Sequence, residues 1–233
     1  MRALSVTDCL DVWDRGLHRH PLDQALLVLS VVLPGTSYDS LADWSLGRLN
    51  RELVEVHCRC FGSALSGWVA CERCQEKLEF EIDARTVMGQ EPVQDEPVRV
   101  NGWTFRLPTA RDLARAAIAG EPAAAVCSLL ESCQVAPVDR GSWTDSDIEA
   151  IGEKMAAADP LAETRLVLNC HKCGHEWTAN FDIATFVWRQ IEARGRRAVA
   201  DVHALAHAYG WTEAQILSLT ENRRARYLEM VRA

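Results

Sequence analysis

Apolar residues recur at helical spacing through most of the chain and alternate at strand spacing in only a few short runs. Cys9, Leu10, Val12, Trp13 and Leu17 follow the cap pair Thr7-Asp8, with Gly16 near the stop, and predict a short first helix. Pro21 opens an apolar run over 22–33 whose length and density suit a buried helix closed by Pro34-Gly35. After a polar connector at 39–43, Leu46, Leu49, Leu53, Val54, Val56 and Phe61 mark a helix face that Gly62 ends and that is expected to lead directly into the cysteine-bearing turn at 71. Leu78, Phe80 and Ile82 alternate and predict a strand over 75–83. Residues 91–97, with two prolines and three acids, read as a loop, and 98–105 as a hairpin around Asn101-Gly102.

The second half is more helical. Thr109 with Asp112, and Thr144 with Asp147, have the spacing of reciprocal N-terminal caps, the latter for a helix over 145–158, and an alanine-rich helical piece lies between them at 122–134. Ile183, Phe186, Val187 and Ile191 form a face that Gly195 is placed to interrupt; Val199, Val202, Leu205, Ala206 and Tyr209 continue it to a stop at Gly210. Thr212-Glu213 caps a helix bearing Ile216 and Leu217, and 221–231 is a last helix with Tyr227, Leu228 and Val231 expected inward.

One repeat cuts across this pattern. Cys71-Glu72-Arg73-Cys74 recurs as Cys170-His171-Lys172-Cys173, offset by 99 positions, and the offset also matches Leu78 to Trp177, Ile82 to Phe181 and Asp83 to Asp182. A Cys-x-x-Cys turn points two thiolates at one ion, and two such turns complete the tetrahedral coordination of Zn2+. The intervening chain adds only a slowly growing loop-closure cost. The expected fold is therefore mainly α with a small β component: a helical body clamped by a split zinc ribbon, each half a knuckle followed by a short strand. Residues 1–70 are an N-terminal helical region, 71–83 and 170–182 the ribbon, 84–169 a hairpin-plus-helices insertion, and 183–233 a C-terminal helical region. Four thiolates leave the ion no open position, which gives it a structural role; a thioredoxin-like redox pair would leave the duplicate motif unexplained.

Other donors read differently. His171 and His175 flank the second turn and are the alternative ligands to a cysteine there. Cys58 and Cys60, about 200° apart on a helix, cannot share an ion and read with Cys9, Cys127 and Cys133 as small buried side chains. His57 is a competing donor. His203 and His207 stand four apart without a third ligand and read as partly buried helix residues. The eight tryptophans read mostly as core anchors.

Composition narrows the function classes. With 48% hydrophobic and 25% charged residues the chain has ordinary globular content. Its longest apolar stretch, 25–34, is far below the roughly 20 residues of a membrane span, and Asp8, Asp11 and Asp14 break any signal-peptide pattern. An intracellular protein with reduced cysteines is expected. No phosphate-binding glycine loop, nucleophile elbow or His-Glu-x-x-His helix occurs, so neither an enzyme nor a small-molecule substrate is expected. Residues 209–217 resemble the turn of a helix-turn-helix, with Arg223, Arg224 and Arg226 opening a recognition helix, which makes a zinc-ribbon transcription regulator the alternative reading. Three arginines fall short of the roughly 6–10 phosphate contacts of strong binders, and the net charge of −8 disfavours nucleic acid.

The segments LGRLNRELVEVHCRCFGSALSGWVACERCQEKLEF (46–80), CHKCGHEW with FDIATFVW (170–188) and YGW-x4-ILSL-x3-RRARYLEMV (209–231) together resemble the baseplate hub assembly proteins, or chaperones, of T4-type phages and of phage tail-like contractile injection systems. Zinc-knuckle members often carry proline after the first cysteine, where this chain has Glu72 and His171. The resemblance implies a non-enzymatic component with a structural zinc ion, binding hub, spike or wedge proteins while a contractile baseplate is assembled in the bacterial cytoplasm, and then leaving or staying in the particle. Trp211, Arg223, Arg224 and Tyr227 are the contact candidates; capping and packing of the last two helices is the other role open to them.

Overall fold

In a computed structural model the described residues are 1–89, 96–136 and 143–232. Four helices open the chain: α1 (Val6–Gly16), α2 (Pro21–Val32), α3 (Tyr38–Ala42) and α4 (Leu46–Phe61). Ser5, rather than the Thr7-Asp8 pair, caps α1: its hydroxyl accepts the Asp8 N–H while the Asp8 carboxylate accepts the Ser5 N–H and the Arg2 guanidinium. α2 enters on Pro21 and is apolar nearly all round, as a helix at the centre of a core must be. Contrary to expectation, α4 does not lead into the cysteine turn. Residues 64–70 form β1 (Ala64–Ala70), antiparallel to β2 (Lys77–Asp83), because the backbone groups after Gly62 find partners across the hairpin. Asp83 then caps a short α5 (Ala84–Met88).

The insertion has its own core. β3 (Val98–Val100) and β4 (Trp103–Phe105) flank the expected turn, with Asn101 and Gly102 both at positive φ. After α6 (Ala110–Ala116) and α7 (Pro122–Cys133), an unexpected β5 (Gln134–Ala136) joins β4, and α8 (Asp145–Ala158) closes the unit. Val100, Phe105, Leu130, Cys133, Ile151 and Met155 are buried together, apart from the main core. Of the acidic loop expected at 91–97, residues 91–95 lie outside the described residues. The unit docks on the start of α4. Asp159 Oδ2 accepts the Gly47 N–H at 2.8 Å, Asn50 Nδ2 donates to the Leu161 carbonyl at 2.7 Å, and the Leu46 N–H donates to the Pro108 carbonyl at 3.1 Å.

β6 (Arg165–Asn169) and β7 (Glu176–Asn180) form the second hairpin, so residues 165–169 belong with the cysteine turn and not with the insertion. α9 (Ile183–Tyr209), α10 (Glu213–Leu217) and α11 (Glu221–Arg232) complete the chain. Gly195 does not interrupt α9. A Cβ there would lie 2.9 Å from the Trp13 ring, and one on Gly16 would lie 2.3 Å from the Trp188 ring, so each helix of the α1–α9 pair gives up a side chain where the other places a tryptophan. Ile183, Val187, Trp188 and Ile191 fix the first half of α9 in the main core with α1, α2 and α4. Its second half shares a small separate core, Leu205, Ile216 and Leu228, with α10 and α11. Tyr227 is half-buried and Val231 exposed; only Leu228 of the expected inward set is buried. No helix among the described residues is long and apolar enough to cross a membrane.

Candidate metal centre and C-terminal surface

The two cysteine turns are built alike. Their hairpins close on the pairs Ala70–Lys77 and Asn169–Glu176, again offset by 99. In each, the first cysteine donates its N–H to the carbonyl five residues on, Cys71 to Glu76 at 2.8 Å and Cys170 to His175 at 2.9 Å. In each, the residue after the second cysteine turns back and donates to the first cysteine's carbonyl, Gln75 at 2.9 Å and Gly174 at 2.8 Å. That reversal needs left-handed backbone, with φ of 60° at Gln75 and 66° at Gly174. Glycine adopts it freely; Gln75 holds it with its side-chain amide on the Cys71 carbonyl at 3.2 Å. A strand precedes as well as follows each turn, which corrects the expectation of a following strand alone.

The tips meet. Sγ of Cys71 lies 3.7 Å from Sγ of Cys173, and Sγ of Cys74 lies 3.6 Å from that of Cys170. All four sulfurs fall within 4.8 Å of one another, an arrangement that can hold a metal ion. Bonds of about 2.3 Å in a tetrahedron would place sulfurs about 3.8 Å apart, so the cluster has the dimensions of a four-thiolate zinc site. These separations are far longer than a disulfide, and all four cysteines are free. Cys71 and Cys170 are fully buried, and Leu78 and Trp177, the residues matched by the repeat, are buried beside them. His175 stacks on Trp177 with ring centroids 5.5 Å apart, and Lys172 pairs with Glu76 across the two tips.

Electrostatics favour a cation between the sulfurs. Burial works against ionising Cys170, but hydrogen bonds from the Cys173 and Lys172 amides, together with those from the Cys74 and Cys173 thiols, outweigh it and hold the thiol at about 6. At Cys74 the Glu76 amide favours the thiolate, yet burial and the three neighbouring sulfurs push the thiol up to about 12. Four thiolates this close cannot all carry charge unless a cation is shared among them.

The other donors stay apart from this group. His57 is 2% exposed in the main core, between Phe61 and Phe186. His171 and His175 are not in the four-residue cluster. Cys9 and Cys133 are buried as expected, while Cys58, Cys60 and Cys127 are only half-buried; the Leu4 N–H donates to Cys60 Sγ at 3.2 Å. His203 and His207 are exposed, not partly buried.

At the far end, Trp211 and Tyr227 meet edge to face at 4.9 Å, and Tyr209, which the sequence reading left out of the contact set, stacks on Trp211 at 4.8 Å. Its place one residue before the stop Gly210 was the available signal. Arg223 is exposed. Arg224 is not: it lies one turn before Leu228 on the inner face of α11, is 6% exposed, and donates from Nε to Asp201 of α9 at 2.9 Å. Comparison with protein-family models, curated proteins and solved structures gives no match.

Proposed function

We propose that the chain is a non-enzymatic baseplate component or assembly factor of a contractile phage tail-like injection system, docking on hub, spike or wedge proteins in the bacterial cytoplasm. One structural zinc ion, held by Cys71, Cys74, Cys170 and Cys173, joins its two hairpins as a split ribbon. The convergence of four sulfurs from turns 95 residues apart carries the structural half of this reading. Bound there, zinc supplies a cross-link and no open coordination position. Closing a loop of that length constrains the unfolded chain by on the order of 4–5 kcal/mol, by analogy with a disulfide. The chain's own residues do the rest: the Lys172 and Cys173 amides steady the Cys170 thiolate, and Leu78 and Trp177 exclude water from the sulfurs.

The assembly half rests on the sequence resemblance. It is supported by Tyr209, Trp211 and Tyr227, gathered where α9 ends, with Arg223 exposed on the adjoining helix; aromatic and arginine side chains are those that dominate protein interfaces. The test is purification of the full chain after co-expression with hub, spike and wedge proteins of a contractile tail-like assembly. A stoichiometric complex is expected. Failure to bind any tail protein, together with salt-sensitive retention on DNA, overturns the reading in favour of a zinc-ribbon transcription regulator.

A further inference from the structure

An open cleft of about 430 Å³ runs between α9 and α11, with Val6, Cys60 and Phe61 on its other side. Four arginines line it, Arg194, Arg197, Arg224 and Arg232, against three acids, Asp201, Glu221 and Glu229. Two of the acids are engaged from within: Glu221 pairs with Arg194, and Asp201 accepts from Nε of Arg224. Arg197 donates to the Ala193 carbonyl, and neither it nor Arg232 has a carboxylate partner among the described residues. Among the lining residues the Arg224 side chain is 7% exposed, and its Nη1 is buried with no hydrogen-bond partner. A buried donor left unpaired is costly, and a guanidinium edge matches an oxyanion that can accept two parallel bonds.

We propose that this cleft takes a carboxylate from an acidic segment of a partner protein, with Arg197 and Arg232 holding it at the rim and the Arg224 guanidinium lining its wall. Carboxylate fits better than a nucleic-acid backbone. The chain carries −8 overall and Glu229 stands in the cleft wall, so the positive field is local and suits one oxyanion, not a run of phosphates. The site is separate from the four cysteines and from the aromatic cluster, and it stands whichever assembly the chain serves.

The test uses the full-length, metal-loaded protein and a fluorescein-labelled peptide of alternating glutamate and serine, followed by anisotropy. Saturable binding is expected, about tenfold weaker in Arg197→Gln and in Arg232→Gln, the scale of one hydrogen bond to a charged group. Arg224→Lys, which keeps the positive charge but removes the planar two-donor edge of the guanidinium, is expected to weaken binding similarly with an unchanged circular dichroism spectrum. Arg99→Gln, which removes the same charge from an exposed position on strand β3, should bind as the unaltered protein does. Absence of saturable binding, equal weakening by Arg99→Gln, or no weakening in the two rim variants overturns the proposal. So does displacement of the peptide by a twelve-base thymidine oligonucleotide at lower concentration than by unlabelled peptide.

Discussion

Removing the Asp159 carboxylate tests how the insertion is joined to the helical body. α4 begins without a cap of its own, since the hydroxyl of its N-cap, Ser45, is buried and makes no hydrogen bond. Asp159, 112 residues away, supplies the missing acceptor at the Gly47 N–H and places negative charge at the positive end of a 16-residue helix. Loss of an N-terminal cap costs about 1 kcal/mol, and a partly buried helix-end charge contributes on a similar scale, so Asp159→Ala is expected to cost about 2 kcal/mol. For a chain of this size that corresponds to a fall of roughly 4–8 °C in Tm. Gly47→Ala attacks the same joint from the other side, because its Cβ would lie 1.5 Å from Asp159 Oδ1 and the carboxylate would have to leave. Alone it should cost at least as much, about 2–4 kcal/mol. In the Asp159→Ala background the obstacle is gone, and replacing a helical glycine by alanine should instead stabilise by up to about 1 kcal/mol. Gly152→Ala, on the exposed side of α8 with nothing within 4 Å of the new Cβ, gives the unobstructed reference. The assay is urea unfolding of the four members of the cycle at fixed metal loading. Equal costs of Gly47→Ala in the two backgrounds would refute the reasoning.

Three further outcomes are expected. Cys71→Ser and Cys170→Ser should each abolish binding of one equivalent of zinc, read by metal analysis of the purified protein; full retention in both variants would sink the shared site. His57 is held below its ordinary value of 6.5 by burial, opposed in part by the Gly62 backbone. The unfolded chain therefore binds a proton that the folded one resists, and stability should fall as pH drops from about 7 toward 5, with a slope of up to about 1.4 kcal/mol per pH unit that His57→Gln removes in denaturant titrations. Ile216→Ala, in the small core shared by α9, α10 and α11, should cost about 2–4 kcal/mol locally. Hydrogen exchange should then speed in α10 and α11 but not in α2, and uniform acceleration would mean that the two cores are one cooperative unit.

The features legible in the sequence were those fixed by neighbours in the chain. Helix caps at Thr109, Thr144 and Thr212 and the start of α8 follow from side chains bonding backbone groups within a few residues, and the stop at Gly210 and the Asn101-Gly102 turn from residues that accept positive φ. The cysteine cluster was legible for another reason: each turn is local, and the 99-residue offset carried the pairing that distance would otherwise hide. The tertiary structure decided what depends on remote partners. β5 exists because β4, two helices earlier in the chain, satisfies its backbone groups, while β1 pairs with the next strand but carries too little alternation to announce itself. Gly195 marks a helix stop on propensity alone, yet Trp13 packing against it keeps α9 whole for 27 residues. Arg224 belongs to a basic run in the sequence, but only the approach of α9 brings Asp201 to it, draws it inward and leaves its Nη1 buried without a partner. Local bonding is written in nearest-neighbour order, whereas burial and charge pairing are settled only when separate helices meet.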